Sequence, residues 1–237
     1  MNKKLIPVLV TGLLISITLV SCFFGMKGSG NVVKSERQVE TFGSVSVSAG
    51  IEVILMQDSV LKVMVEADDN LQENIKTEVT NGMLKIYPRK PIRSCTAKKV
   101  FVSIRTIQSL EASSGSEVLS KLELKLPSLE LSSSSGARVN LALAVNMLNV
   151  ESSSGADIRL SGSAENLDVD GSGGANVNAS ALQSKTCNAG ASSGANLKVY
   201  ASEKIVAKAS SGGNIKVAGN PKDRNIGKSS GGAVNFN

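Results

Sequence analysis

The chain has 237 residues, a length that allows one large all-β unit or two small domains. It contains no His and no Trp, and aromatic residues make up 3% of it. This composition excludes Ser-His-Asp and Cys-His catalytic pairs, His-based zinc sites and an aromatic stacking platform, so we expect no nucleic-acid partner and no cofactor. The formal net charge of +6 falls to +4 when Lys3 and Lys4 are left out.

Residues 1–21 have the features of a lipoprotein signal peptide. Two lysines precede an uncharged apolar run over residues 5–20, which is too short to span a membrane comfortably. The run ends in Leu-Val-Ser-Cys, which resembles the lipobox where bacterial lipoproteins are acylated and cleaved. We predict lipidation of Cys22, which makes the membrane a partner through the lipid, and a tether over residues 22–29. The alternatives are an ordinary signal peptide and an uncleaved anchor with a chance cysteine, and both also place the body outside the cytoplasm.

Residues 30–107 predict an irregular β-rich section. Apolar or alternating runs predict strands at 44–48, 51–56, 61–66, 83–87 and 100–104. Asn81-Gly82 is a strong hairpin-turn signal. Residues 79–110 carry seven Lys or Arg and no acid. Such a stretch suits contact with anionic lipid or polysaccharide, although a solvated hairpin face is the interpretation that we favour.

Residues 108–237 contain a repeat. The phrase Ser-Ser-Gly, or a close variant, occurs seven times, with its glycine at 115, 136, 155, 174, 194, 212 and 231. The intervals are 21, 19, 19, 20, 18 and 19 residues. Glycine tolerates the positive φ of a tight corner, and small serines let successive corners stack. The repeat therefore predicts a coil that turns at each Ser-Ser-Gly.

Apolar residues recur with period two around each corner, which is typical of strands. Aligned copies give inward columns, so that like side chains are expected to stack from coil to coil. One column contains Leu110, Leu129, Leu148, Leu167, Cys187 and Ile205, the next contains Leu131, Val150, Val169, Ala189 and Ala207, and the outermost column after the corner contains Leu141, Leu160, Ala179, Val199, Val217 and Phe236. Four inward side chains cannot stabilise an isolated coil, so the repeats predict an all-β solenoid of stacked coils.

Two cysteines remain after Cys22. Export permits disulfides, but Cys187 falls in an inward column, where a buried free thiol is the role that we favour over pairing with Cys95.

Several stretches resemble a known family. Residues 39–57, VETFGSVSVSAGIEVILMQ, and 65–86, VEADDNLQENIKTEVTNGMLKI, resemble the opening of the head GIN domain of auto-transporter adhesins. The Ser-Ser-Gly repeats and VAGNP at 217–221 are similar as well, so the resemblance covers about residues 30–237. It implies a right-handed parallel β-helix of unknown biochemical function, common among Bacteroidetes lipoproteins.

The resemblance also bears on localisation. Lipoproteins of that group bound for the cell surface have acidic residues just after the lipidated cysteine. Here the residues after Cys22 are Phe-Phe-Gly-Met-Lys. This departure favours the periplasmic face of the outer membrane.

Two outward faces flank the corners. Before the corner, several carboxylates are expected on adjacent coils, and these suit calcium binding or an acid-base pair in glycan cleavage. They are Glu111, Glu130 and Asp168, with Asn149 among them, and Glu151 and Asp170 two positions along. After the corner, two rows are expected: Arg138, Asp157, Asn176, Asn196 and Asn214, then Asn140, Arg159, Asn178, Lys198 and Lys216.

Amide and cationic donors in register suit hydroxyl-rich or anionic glycans. The candidate binding residues are Arg138, Arg159, Asn176, Asn196, Lys198 and Lys216.

The sequence supports three hypotheses about function. The leading one is a non-enzymatic envelope module that binds polysaccharide, peptidoglycan or another envelope protein. The second is a carbohydrate-active enzyme using Glu151, Asp168 and Asp170, and the third is a scaffold without a ligand; no metal site is predicted.

Overall fold

The computed structural model describes residues 25–236, so Cys22 and the predicted signal peptide lie outside the described residues. The described chain is built from strands and turns, with a single-turn 3₁₀ helix at Asp69–Leu71. The first strands are β1 Met26–Lys27, β2 Val32–Arg37, β3 Ser44–Val47, β4 Glu52–Gln57, β5 Lys62–Asp68, β6 Ile75–Thr80, β7 Met83–Pro88, β8 Ile92–Ser94 and β9 Lys98–Ile104. The strands that follow are β10 Ser109–Ala112, β11 Glu117–Ser120, β12 Leu124–Ser133, β13 Arg138–Ser152, β14 Asp157–Gly171, β15 Asn176–Ala191, β16 Asn196–Tyr200, β17 Lys204–Ala209, β18 Asn214–Ala218, β19 Asp223–Lys228 and β20 Ala233–Phe236.

From β10 onward the chain forms a β-solenoid. Each coil hydrogen-bonds in parallel to the next, as β12 does to β13 and β13 to β14. The coils repeat about every 19 residues and make about seven turns. The predicted all-β solenoid of stacked coils is therefore confirmed.

The predicted inward columns are largely confirmed. Leu148 is fully buried and lies directly between Leu129 and Leu167 in the parallel ladder. The column continues through Cys187 to Ile205, both buried. Each of these side chains fills the space between its neighbours, which is how stacked coils share one core.

The predicted column is wrong for Leu110. It pairs with Leu131, not with Leu129. The interval between the first two corner glycines is 21 residues, and the excess is taken up in a bend after β11, where Leu122 is exposed. The inward columns align when residues are counted back from the corner glycine of each coil. An alignment that uses a constant spacing of 19 residues instead shifts Leu110 by two positions.

The corners are tight turns in which two consecutive residues have positive φ. In the first corner, Ser114 has φ 52° and Gly115 has φ 69°, and the Ser116 N–H donates to the Ser113 carbonyl at 3.1 Å. The Gly115 N–H also donates to the Ser135 carbonyl of the next corner at 3.0 Å. A Cβ on this glycine would meet no atom of the described chain within 4 Å, so the backbone conformation, and not space, requires glycine here.

Each coil has a third inward side, which the Ser-Ser-Gly repeat does not predict. Leu143 and Val145 are buried in the middle of β13, and the coil before it places Leu124 and Leu126 in register with them. In the next coil Gly162 occupies the Leu143 position. Small residues at these positions interrupt the apolar pattern, which is why the sequence predicted only four inward positions per coil.

Phe236 is the second correction to the columns. Its backbone pairs with Val217 as predicted, but its side chain is 36% exposed. β20 is the last strand of the described chain, and within residues 25–236 it pairs in the ladder with β18 alone. The Arg224 guanidinium lies 4.4 Å from the Phe236 ring centroid and covers part of the ring.

The N-terminal strands continue the stack but not in chain order. β3 pairs in parallel with both β7 and β10, and β4 pairs in parallel with both β9 and β11. Between β3 and β4, Ala49 and Gly50 have φ 57° and 73°, the same conformation as a Ser-Gly corner. The antiparallel pairs β2–β5, β5–β9 and β6–β7 flank this part of the stack, and the last of them turns at Asn81-Gly82 as predicted.

Both described cysteines are free thiols, and Cys187 is buried as predicted. Burial raises the pKa of the Cys187 thiol to about 12. Within residues 25–236, no helix has the length and apolar character needed to cross a membrane.

Candidate functional site: two outward faces of the solenoid

Every regular coil presents one outward face before its corner and another after it. Burial alternates along the strands, so each outward residue lies between two core residues. Parallel pairing in register then stacks equivalent outward side chains about 4.8 Å apart. The two faces are therefore rigid rows of side chains, held by the ladder and not by loops.

The amide-cation face lies after the corner and contains all six predicted binding residues. Its first row is Arg138, Asp157, Asn176, Asn196 and Asn214, and its second row is Asn140, Arg159, Asn178, Lys198 and Lys216. All six predicted residues are exposed. The predicted register of both rows is correct.

Contacts within the amide-cation face leave most of its cations available. The Arg159 Nη2 lies 3.3 Å from Asp157 Oδ2. Arg138, Lys198 and Lys216 form no ion pair within residues 25–236. Three cations can therefore bind an external anion or hydroxyl group without first breaking an ion pair.

Two asparagines of this face are oriented alike by their own corners. The Asn196 Nδ2 donates to the Gly194 carbonyl at 3.3 Å, and the Asn176 Nδ2 donates to the Gly174 carbonyl at 3.5 Å. One amide hydrogen of each is thus used locally. Both residues are exposed, so each Oδ1 adds an acceptor beside the donors of the face, which suits sugar hydroxyls.

The acidic face lies before the corner and is defined by Glu111, Glu130, Asn149, Glu151, Asp168 and Asp170. Glu130, Asn149 and Asp168 stack as predicted. Glu111 was placed in this row but belongs to the other one, where it pairs with Ser132, because the two-residue shift that misplaced Leu110 also moves its neighbour. Glu151 and Asp170 are direct neighbours on adjacent coils.

Asp170 has the most perturbed environment on the acidic face. Its carboxylate lies over Gly190 of the next coil, in the space that a Cβ at that position would occupy. Burial raises the pKa of Asp170 above its ordinary value, and the neighbouring charges of Asp168 and Glu151 add to the increase. A raised pKa favours the protonated form, which is what a general acid requires.

A hollow of about 450 Å³ lies beside Asp170. Glu151, Ser132 and Lys208 also line it. Within residues 25–236, no group of three or more Cys, Asp or Glu side chains is arranged to hold a metal ion.

The N-terminal end contains a buried carboxylate that the sequence does not predict. Asp68 is fully buried and accepts hydrogen bonds from the backbone N–H groups of Ala97, Gly30 and Thr96, at 2.9 to 3.0 Å. These bonds, that from Ala97 foremost, hold the pKa of Asp68 below its ordinary value although burial opposes them. The donors lie 28 to 38 residues away, so no local pattern signals this site.

The family of the chain follows from a comparison of sequences. A family model described as "Putative auto-transporter adhesin, head GIN domain" matches residues 41–221, which is most of the chain. The chain belongs to this family. Membership in the head GIN family confirms the resemblance and supports an adhesin-like function associated with the cell envelope. No curated protein matches the chain.

Solved structures show the head GIN fold in related bacteria. A protein described as a putative adhesin from Bacteroides fragilis NCTC 9343 superposes with a TM-score of 0.83 at 20% identity, covering 90% of this chain and 100% of its own. Putative adhesins from Parabacteroides distasonis ATCC 8503 and Parabacteroides merdae ATCC 43184 give TM-scores of 0.71 and 0.70 at 18% and 15% identity. They cover 90% of this chain, and 100% and 99% of their own. At such identities the likeness shows the fold alone.

Proposed function

We propose that this head GIN protein is a non-enzymatic, lipid-anchored envelope protein whose amide-cation face binds polysaccharide. The observation that carries the proposal is the register of that face. Arg159, Lys198 and Lys216 belong to one row, and Asn176 and Asn196 belong to the row beside it. All of them are exposed on consecutive coils.

The chemistry of the face matches a repeating hydroxyl-rich or anionic chain. Lysine and arginine donate charge-assisted hydrogen bonds to carboxylate or sulfate groups, and amides exchange hydrogen bonds with hydroxyls. The side chains are carried by paired strands, so binding requires little further ordering of the protein backbone. A regular ligand can therefore repeat the same contacts along the row of coils.

The anchor is the second part of the proposal. The lipobox-like sequence before Cys22 supports acylation of that residue, and two or more acyl chains give stable membrane attachment. The absence of acidic residues directly after Cys22 favours the periplasmic face of the outer membrane. Mass spectrometry of the protein extracted from its membrane tests the acylation, and protease treatment of intact cells tests the side.

The binding experiment uses purified protein and a panel of acidic and neutral polysaccharides, peptidoglycan included. We expect retention of an acidic polysaccharide by the wild-type protein. Arg159→Glu combined with Lys198→Glu should weaken it at least tenfold, because two charge-assisted contacts become repulsive.

The matched control carries the same change of net charge elsewhere. Lys121→Glu combined with Lys125→Glu alters two exposed lysines that lie outside the amide-cation face. This control should bind as the wild type does. Equal weakening in both variants would show a net-charge effect, and unchanged binding in the first would refute the proposed face.

Asp170 supports one competing function, a glycan-cleaving enzyme. Its pKa is raised and it lies beside Glu151 on the adjacent coil, and a protonated carboxyl next to a second carboxylate is a feature of acid-base pairs. The same polysaccharide panel separates the two, since an enzyme releases new chain ends whereas a binder retains its ligand intact. Cleavage that is lost in Asp170→Asn would establish the enzyme, and neither cleavage nor retention would favour a scaffold.

A further inference from the structure

The N-terminal end of the molecule contains a basic hollow that neither face explains. Its volume is about 520 Å³. Four cationic side chains and two carboxylates line it, which gives it a formal charge of +2. We call it the basic hollow, and the residues that define it are Met26, Arg37, Lys76, Arg89 and Lys90 with Glu73 and Glu78.

The cations of the basic hollow are poorly neutralised. Lys76, Arg89 and Lys90 form no ion pair within residues 25–236. The Glu78 carboxylate accepts a hydrogen bond from the Tyr87 hydroxyl at 2.8 Å and forms no ion pair with the lysines. The hollow therefore presents a net positive charge to any anion that approaches it.

Hydrogen bonds fix the loop that carries two of these cations. The Asn74 side chain accepts from the Lys90 N–H at 2.8 Å and donates to the Lys90 carbonyl at 2.9 Å. The Arg89 N–H donates to the Asn74 carbonyl at 2.8 Å. These bonds involve the backbone of Arg89 and Lys90, so both side chains can be replaced without removing them.

The same loop is bound to the first described strand of the chain. The Met26 N–H donates to the Pro91 carbonyl, and the Gly28 N–H donates to the Ser94 carbonyl, each at 2.8 Å. Cys22 is four residues before Met26, and four extended residues span at most about 14 Å. If Cys22 is acylated, the basic hollow is held close to the membrane surface.

We propose that the basic hollow docks on the anionic phospholipid headgroups of the membrane in which Cys22 is anchored. This inference rests on the proposed anchor but not on polysaccharide binding. The surface potential of an anionic leaflet decays within a Debye length, so only cations that reach the surface feel it fully. The short link to Cys22 places these cations there, whereas the amide-cation face begins only at Arg138 on the later coils.

The docking is tested by flotation with vesicles. The protein consists of residues 22–237 with Cys22→Ser, so that binding reports the basic hollow without any acyl chain. We expect it to float with vesicles of phosphatidylcholine mixed with phosphatidylglycerol, and not with phosphatidylcholine alone. Arg89→Gln combined with Lys90→Gln should lower the partition coefficient about 25-fold, about fivefold for each cation removed from the surface.

Lys198→Gln combined with Lys216→Gln is the matched control, because it removes two exposed cations from the amide-cation face. It should float as the Cys22→Ser protein without further changes does, which is the reference called wild type in this experiment. Circular dichroism should show that both variants are folded. Equal flotation with both vesicle types, no flotation of the wild type, or equal loss in both variants would each overturn the proposal. Displacement by inorganic phosphate at matched ionic strength would also overturn it, since the hollow would then be a phosphate site.

Failure of this inference can be distinguished from failure of the proposed function. Absence of acylation on Cys22, detected by mass spectrometry, would remove the anchor while flotation still measured the basic hollow. Failure of flotation would leave acylation and polysaccharide binding unaffected.

Discussion

The two ends of this molecule are built on different principles. In the later coils, each coil pairs in parallel with the next in chain order. The pairing runs from β12 through β15, and then through β16, β18 and β20 on one side of the corner and through β17 and β19 on the other. At the N-terminal end, β7, β3 and β10 lie side by side although they are far apart in sequence, and antiparallel strands flank them. Each later coil contacts mainly the coils before and after it, whereas the N-terminal end depends on long-range contacts.

The two ends therefore differ in which contacts stabilise them. A regular coil is stabilised by its neighbours, so stability is close to a sum of coil and interface terms. The N-terminal end instead has single contacts that join distant segments, such as those of Asp68 with Gly30 and Ala97. A local defect should therefore stay local among the coils but should loosen several segments together at the N-terminal end.

The largest expected effect is that of a hole in the core of the coils. Leu148→Ala should lower the free energy of unfolding by about 2–5 kcal/mol, because Leu148 is fully buried between two leucines of the adjacent coils. Denaturant unfolding measures the loss. Hydrogen exchange should increase in the coil of Leu148 and in its two neighbours.

Met147→Ala is the control, since Met147 precedes Leu148 and is 50% exposed. It should change the free energy of unfolding by less than about 0.5 kcal/mol. Faster exchange in the N-terminal strands of Leu148→Ala, to the same degree as in its own coil, would contradict the difference between the two ends.

A smaller effect is expected at Asp68, and it depends on pH. Asp68→Asn should lower the thermal midpoint at neutral pH, because an amide replaces a carboxylate that accepts three backbone N–H groups. The pKa of Asp68 is lowered in the folded protein, so its stabilising contribution is present above its ordinary pKa and is lost as pH falls through the lowered value. The midpoints of wild type and variant should therefore converge in acid.

Thermal unfolding of both proteins across the acidic range checks this. Asp69, whose pKa is also lowered, is present in both proteins, so its contribution cancels. Asp58→Asn, in the exposed turn after β4, is the matched control and should not change the midpoint. A difference between wild type and Asp68→Asn that persists unchanged in acid would show that the charge of Asp68 is not the cause.

The smallest expected effect is a gain. Ser152 and Ser133 are stacked and buried, and their hydroxyls have no hydrogen-bond partner among residues 25–236. Alanine occupies equivalent positions of the ladder at 112, 191 and 209. Ser152→Ala should raise the free energy of unfolding by about 1 kcal/mol, because the unpaired buried hydroxyl is removed.

Ser153→Ala, one residue further along and only half-buried, should change stability little. Both variants are compared by denaturant unfolding. A loss of stability in Ser152→Ala would mean that equivalent positions of different coils are not interchangeable, against the one-dimensional description of the later coils.

The sequence predicted what depends on local pattern. Period-two apolar residues and a recurring Ser-Ser-Gly identify coils, and the register of Leu129, Leu148 and Leu167 follows from the corner glycines. The same counting predicted both rows of the amide-cation face. Leu110 and Glu111 were misplaced only because a constant repeat length was used in place of the corner.

The remaining features depend on contacts that no local pattern carries. The corner at Ala49-Gly50 has positive φ values similar to those of the other corners but different residue types, so a search for Ser-Ser-Gly does not find it. The third inward side is interrupted by Gly162, whose Cβ would collide with the Leu143 carbonyl. Asp68 and the basic hollow combine segments that are distant in sequence.

The uniform corner has a consequence for how such proteins change in length. A duplication of residues 156–174, inserted after Gly174, would leave one corner and enter the next with unchanged backbone torsions. Each such event would lengthen the stack by about 4.8 Å and add one more rung to every row of side chains. The length of the molecule can therefore change in increments of one coil, while its N-terminal end is unchanged.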